Sequence, residues 1–307
     1  MTILEVRDLS ISFSQYSKGL RQENNQVIHN LNVSLNKGEI VAVVGSSGSG
    51  KSILAHAILG ILPGNATMTG SISFDGQVLT EEMLANLRGH EIVLVPQSVK
   101  FLDPLMRIGS QVQTSVRKQN AVTAQKKIFE KYKLHSLVEK LYPFQLSGGM
   151  ARRVLVSMAV VSEASVIIAD EPTPGLDSEV IKEAESSFRE LADNGSAVMV
   201  ITHDIDFALK LADKIAVFYA GTVVEIAPVR DFFGTGENLR HPYTKALWRA
   251  LPQNDFIPIK GSQPLANDLP NGCPFAPRCE HVTSDCSEEL PTEKMIRGGM
   301  VRCLHAT

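Results

Sequence analysis

Apolar and polar positions alternate along residues 3–13 and again along 27–35. That period of two marks half-exposed antiparallel strands, and the polar stretch Ser14 to Gln26 between them predicts a loop. The pattern then changes. Ile40-Val41-Ala42-Val43-Val44 is an unbroken apolar run followed by glycine, which suits a strand buried on both faces of a parallel sheet. Ser52 to Leu62 after it reads as a helix. Ile72 to Phe74 and Ile92 to Val95 predict further strands, whereas roughly Ser110 to Leu141 is polar, basic and helix-prone, so residues 98–162 are expected to form a helical insert. Three more apolar runs, Val166 to Ala169, Ala197 to Ile201 and Ile215 to Phe218, alternate with helical segments near 178–193 and 204–212. Strand and helix in alternation predict a mostly parallel α/β sheet, here with an antiparallel β edge at its start.

Composition narrows the function classes. The 307 residues, 44% of them apolar, can fill a real core, and the length suits about two domains. Thirty Lys and Arg against 33 Asp and Glu leave a formal charge of -3, so no global basic field argues for nucleic acid or anionic lipid. Met1 to Glu5 shows neither a basic leader nor an apolar targeting core, and no apolar stretch reaches the ~18 residues of a membrane span. The expectation is a cytosolic chain that meets any membrane through partners. The tail is compositionally distinct: all four cysteines lie in the last 35 residues, and eight of the 15 prolines fall between Pro242 and Pro291. In a reducing cytosol such clustered cysteines suggest a metal site more than disulfides.

Gly45-Ser46-Ser47-Gly48-Ser49-Gly50-Lys51-Ser52 satisfies G-x-x-x-x-G-K-[ST] between a predicted buried strand and a predicted helix. Glycines let the backbone wrap an anion, so that N–H groups and the helix N-terminus face phosphate. Lys51 would reach the β- and γ-phosphates, Ser52 would ligate Mg²⁺, and Ile53 would follow at the start of the helix. The pattern predicts a P-loop NTPase without naming its class. Val166-Ile167-Ile168-Ala169-Asp170-Glu171 is an apolar strand that delivers two carboxylates at its C-terminal end, where open α/β sheets bind ligands. Side chains of adjacent strand residues diverge. Asp170 is therefore expected in the Mg²⁺ shell and Glu171 as the general base for water.

Leu146-Ser147-Gly148-Gly149-Met150, 24 residues before Asp170, resembles the signature motif of ABC ATPases, LSGGQ, with methionine in place of glutamine. The open N–H groups of a Ser-Gly-Gly helix start, with Arg152 and Arg153 in its early turns, would make a second anion site. Two phosphate sites in one chain imply a second chain. In that family each ATP lies between the P-loop of one subunit and the signature of the other, so Ser147, Gly148 and Gly149 would touch the partner's nucleotide. The resemblance assigns Gln97 to the Q-loop, with a hand in Mg²⁺ binding. It assigns Pro174-Gly175-Leu176-Asp177 to the D-loop and Thr202-His203-Asp204 to the γ-phosphate switch. Phe13 is the candidate for stacking on adenine, with Tyr16 as runner-up.

His241-Pro242-Tyr243-Thr244-Lys245-Ala246-Leu247 and Cys273-Pro274-Phe275-Ala276-Pro277-Arg278-Cys279 resemble the C-terminal region of the oligopeptide/dipeptide/nickel importer group, as does Leu105 to Val112. That resemblance spans essentially the whole chain. It implies a RecA-like core with the antiparallel β subdomain (1–97 and 163–235), a helical signature subdomain (98–162) and a C-terminal extension (236–307). It further implies an ATP-hydrolysing importer subunit, peripheral on the cytoplasmic face of the cell membrane, importing peptides, nickel or metal chelates. The implied partners are a second, non-identical ATPase, two permease subunits and an extracellular solute-binding protein, with no nucleic acid. The other reading is a soluble ABC ATPase acting on nucleic acid or ribosomes. Cys273, Cys279, Cys286 and Cys303 are spaced C-x5-C-x6-C-x16-C, looser than common zinc or ferredoxin patterns. The resemblance implies a [4Fe-4S] cluster there, with zinc, free thiols or disulfides as alternatives.

Overall fold

The computed structural model describes residues 1–16, 22–46, 48–117 and 119–306. β1 (Thr2–Tyr16) and β2 (Gln22–Asn36) pair antiparallel along their lengths. The hairpin runs through most of the stretch that hydropathy predicts as loop: Phe13 pairs with Asn25, Ser14 with Asn24 and Tyr16 with Gln22. Apolar alternation cannot report a ladder that is polar on both faces. Here backbone pairing is joined by side-chain bonds such as Ser14 Oγ to Asn24 Oδ1 at 2.8 Å. The remainder of the predicted loop, residues 17–21, lies outside the described residues.

β3 (Ile40–Val44) is buried throughout. α1 (Lys51–Ile58) follows it and stops four residues before the predicted end. Gly60 adopts φ +63, and Ile61 N donates to His56 O while Gly60 N donates to Ala57 O. This Schellman arrangement satisfies the last carbonyls and ends the helix. β4 (Ala66–Phe74) and β5 (Gln77–Val78) complete a four-stranded sheet ordered β2-β1-β4-β5. After α2 (Glu81–Leu87) and β6 (Ile92–Val95) comes the helical stretch of α3 (Ile108–Ser115), α4 (Ala121–Lys131) and α5 (Gly148–Ser162). Then β7 (Val166–Asp170), α6 (Ser178–Asp193), β8 (Ala197–Thr202), α7 (Ile205–Leu211) and β9 (Lys214–Tyr219) alternate much as predicted, and β10 (Thr222–Pro228), which no apolar run marks out, turns back beside β9. Beyond α8 (Pro242–Arg249), β11 (Lys294–Ile296) and β12 (Gly299–Val301) form a hairpin that hydropathy does not announce.

The second sheet runs β11-β12-β10-β9-β3-β8-β7-β6. β6, β7, β8, β3 and β9 are parallel, and the other three strands add antiparallel at one edge. Ile40, Ala42 and Val44 of β3 join a core with α5, α6 and α7, while Val41 and Val43 face a second core with α1, β1 and β2. Both faces are covered, as an unbroken apolar strand requires. Leu239, Tyr243, Cys273, Phe275 and Cys286 lie in the first of these cores. The proline-rich tail therefore packs as an extension of the main layer.

One buried ion set fastens it. Arg240 is completely buried; it contacts Glu225 Oε1 at 3.1 Å and Asp231 Oδ2 at 2.8 Å, and donates to Ile296 O and Arg297 O. Among the described residues no helix is long and apolar enough to cross a membrane.

Candidate nucleotide site

The parallel strands β3, β7, β8 and β6 end on one edge, which brings the P-loop, Asp170-Glu171, Thr202-His203 and Pro96-Gln97 together. The loop leaves β3 pressed against β9: a Cβ on Gly45 would sit 2.3 Å from Phe218 O. Gly48 and Gly50 take φ +77 and +102, conformations that L side chains disfavour. Lys51 is buried, and its Nζ donates to Gly45 O and Ser46 O, both at 2.8 Å. Burial lowers the Lys51 pKa, while Glu171 and Asp170 oppose that shift. Ser49 is buried with its hydroxyl unpartnered, Ile53 packs against the second core, and Ser47 lies outside the described residues.

Asp170 closes β7. Burial raises its pKa, and the hydrogen bond from Ser52 and the nearby His56 and Lys51 pull the other way. Its Oδ1 is buried without a partner. A carboxylate oxygen left unsatisfied beside a serine hydroxyl is a costly arrangement alone and a fitting one for a hard divalent cation such as Mg²⁺. Gln97 stands exposed just beyond β6.

Glu171 takes the left-handed φ of +46, and its N–H donates to Ile201 O. That turn, rather than strand alternation, separates its side chain from that of Asp170. The Glu171 carboxylate accepts from His203 N at 3.1 Å, lies 2.8 Å from His203 Nδ1 and accepts from Thr202 Oγ1 at 3.3 Å. With Nδ1 so engaged, Nε2 is the ring nitrogen of the exposed His203 that remains for another partner.

Ser147 caps α5, its Oγ accepting from Met150 N at 3.3 Å, and Met150 itself packs against the core. The two arginines do not join an anion site. Arg152 turns inward, buried, and donates to Pro96 O and Glu171 O, so it braces the end of β6 and the Glu171 turn from behind. Arg153 pairs with Asp177 at 3.2 Å. Helix geometry is the reason: five and six residues past the Ser147 cap, about one and a half turns along the helix, both stand away from the N-terminal amides. Asp177 caps α6 through Val180 N, which lowers its pKa, with Arg153 adding to the effect. Gly175, at φ +77, places its carbonyl 3.2 Å from where a Gly149 Cβ would be. Glycine at that D-loop position suits a left-handed turn that crowds the signature.

Phe13 is half-buried against the second core, and Tyr16 is 74% exposed at the hairpin end. The two candidates thus differ in how much ring they offer a base.

The four cysteines converge. None is in a disulfide, and with His241 and His305 they line one pocket of about 10 Å³. Burial, with the other three thiols adding, pushes Cys273 up to about 11. His241 is fully buried: Nδ1 accepts from Tyr243 N, Nε2 has no partner, and burial pulls its pKa down to about 3. Thiol donors suit a soft metal, but the pocket they line is closed too tightly for one. Among the described residues no three His, Cys, Asp or Glu side chains are grouped to hold an ion, and the pocket admits at most about one water. As placed, the thiols form no ligand shell for [4Fe-4S] or zinc.

Fold and site together define an ATPase of the ABC type. The ABC transporter family model matches residues 28–174, and the model for the oligopeptide/dipeptide transporter C-terminal region matches 224–286. The chain is 34% identical to the oligopeptide transport ATP-binding protein OppD of Escherichia coli K12, over 98% of this chain and 92% of that one. It is also 34% identical to the dipeptide transport ATP-binding protein DppD of the same organism, over 97% and 95%. Among solved structures, the dimeric ATP-binding cassette MJ0796 in a post-hydrolysis state with ADP and Pi matches in fold with a TM-score of 0.64 at 24% identity, covering 74% of this chain and 99% of that one. The chain belongs to the family of ATP-binding subunits of oligopeptide and dipeptide ABC transporters.

Sequence reading missed the inward role of Arg152, the Arg240 ion set, and the contacts of Gln263 and Arg278 near the P-loop. A lone Arg or Gln carries no motif; only the invariable cost of burying a cation could flag Arg152 and Arg240, and burial is not written in the local sequence.

Proposed function

We propose that this chain hydrolyses Mg-ATP in a head-to-tail pair with a second, non-identical cassette, and so powers peptide import through two permease subunits supplied by an extracellular solute-binding protein. It would sit peripherally on the cytoplasmic face of the membrane; nickel or metal-chelate cargo is the narrower variant. The single observation that carries the reading is the convergence of Lys51, Ser52, Asp170, Glu171 and His203 on one sheet edge, with an unsatisfied buried oxygen on Asp170. The names of the relatives, all peptide transport ATP-binding proteins, support the cargo class. They speak against a role on nucleic acid or ribosomes.

In this reading the P-loop amides and Lys51 bind the β- and γ-phosphates, and Phe13 or Tyr16 stacks on the base. Ser52, Asp170 and Gln97 would hold Mg²⁺, which neutralises phosphate charge when bound. Glu171 accepts the proton of the attacking water. In its cationic form, in which both ring nitrogens donate, His203 is oriented by Glu171 through Nδ1 and donates from its other nitrogen to the γ-phosphate. Ser147, Gly148 and Gly149 face the partner's nucleotide, and Asp177 lies at the D-loop junction. Residues 1–97 with 163–235, 98–162 and 236–307 would then act as core, signature arm and tail.

For the tail, family resemblance implies a [4Fe-4S] cluster, with zinc as the alternative, whereas the thiols as placed hold neither. Four unpaired thiols on one pocket support it, and the pocket must widen to accept it. Iron and zinc content with a visible spectrum, on anaerobically prepared protein, tests this.

Glu171→Gln tests the core of the proposal. General-base loss should slow steady-state phosphate release by about 10²–10⁴-fold while Mg-ATP stays bound and the paired state accumulates. Unchanged turnover in the assembled complex would refute the assignment.

A further inference from the structure

Ser46, second in the P-loop, is held from outside the ATPase core. Its hydroxyl donates to Gln263 Oε1 at 2.5 Å, while its carbonyl accepts from Lys51 Nζ. Gln263 sits in a tail loop shaped by Arg278. That guanidinium donates to Ile259 O at 3.3 Å, Lys260 O at 2.8 Å and Gly261 O at 3.0 Å, and to the Tyr219 hydroxyl at 3.1 Å. It also stands 5.9 Å from the Tyr219 ring centroid and 5.8 Å from that of Phe275. Tyr219 ends β9, the strand on which Gly45 packs through Phe218. Gly45, Ser46, His203, Tyr219, Gln263 and Arg278 share one cleft of about 310 Å³.

The geometry points to Gln263 as a positioning residue for nucleotide binding, with Arg278 setting the loop that presents it. A glycine-rich loop gains much freedom when empty and must lose it to align its amides. Tethering Ser46 in advance removes part of that loss, and the tethered residue is the one whose carbonyl places Lys51. An exposed neutral hydrogen bond adds little to folding by itself; its worth lies in what it orients. This inference rests on the proposal that the loop binds Mg-ATP.

The test is a double-mutant cycle on the full-length chain, with Mg-ATP as the titrant: parent, Gln263→Ala, Ser46→Ala and the pair. One net hydrogen bond predicts that each single change weakens Mg-ATP affinity about two- to tenfold, and that the pair is no weaker than the worse single. For Gln263→Ala in the assembled transporter the KM for ATP should rise with kcat nearly unchanged, the mark of lost ground-state alignment. The melting temperature of the nucleotide-free chain should not move. Parent-like affinity in Gln263→Ala, or effects that multiply in the pair, would overturn the inference. Failure of the parent itself to bind Mg-ATP would instead overturn the nucleotide reading.

Discussion

Replacing Arg240 with Met should loosen the tail from the ATPase core. Arg240 and Glu225 are both fully buried, and the guanidinium also meets Asp231 and two backbone carbonyls of the turn joining β11 to β12. Methionine preserves much of the volume, so the dominant loss is the cation. Removing one partner of a buried pair costs about 3–5 kcal/mol, because the other charge is left without compensation. Glu225 keeps two backbone donors, Arg240 N at 3.0 Å and His241 N at 2.8 Å, which places the expected cost near the lower end, about 3 kcal/mol. At roughly 2–4 °C per kcal/mol for a chain of this class, Tm should fall by about 6–12 °C. Scanning calorimetry at neutral pH measures it, and added salt should leave the loss unchanged since buried charges are poorly screened. Glu225→Gln added to Arg240→Met removes the more deeply buried of the two stranded carboxylates, Asp231 keeping Arg230 at 4.0 Å, and should recover part of the loss. A Tm within about 2 °C of the parent for Arg240→Met, well under the expected shift, would refute the reasoning. So would a double variant no more stable than the single.

Gly45→Ala places a methyl 2.3 Å from Phe218 O. Overpacking of about 1–3 kcal/mol, taken up by the P-loop, should weaken Mg-ATP affinity by roughly 5- to 150-fold in a titration; parent-like binding would show that the strand yields freely. His241 has a folded pKa near 3 against 6.5 for the free side chain. Between those values the unfolded chain binds a proton that the folded one refuses, so stability rises with pH from about 3 to about 6.5 and is lost on acidification through that window. Denaturant titrations across the window should show a slope approaching ~1.4 kcal/mol per pH unit from this group, and His241→Gln should remove it. An unchanged slope in the variant would exclude His241 as the source.

Local sequence announced the buried parallel strands, most of the helices and the P-loop between β3 and α1. Buried parallel strands announce themselves as apolar runs, and phosphate and metal chemistry demand fixed residue types at fixed spacing around Lys51, Asp170 and Glu171. It failed where the deciding partner is distant. The polar half of the β1–β2 hairpin shows no alternation because both its faces meet water. Arg152 resembles an anion-binding residue until the turn of α5 aims it at Pro96 O and Glu171 O. Four cysteines share a pocket, yet their spacing in the chain says nothing of how tightly it closes. Only the tertiary structure decided that the tail reaches the P-loop through Gln263 and joins the main sheet through β12. Hydropathy records what each residue prefers to be near; it does not record which distant residue arrives there.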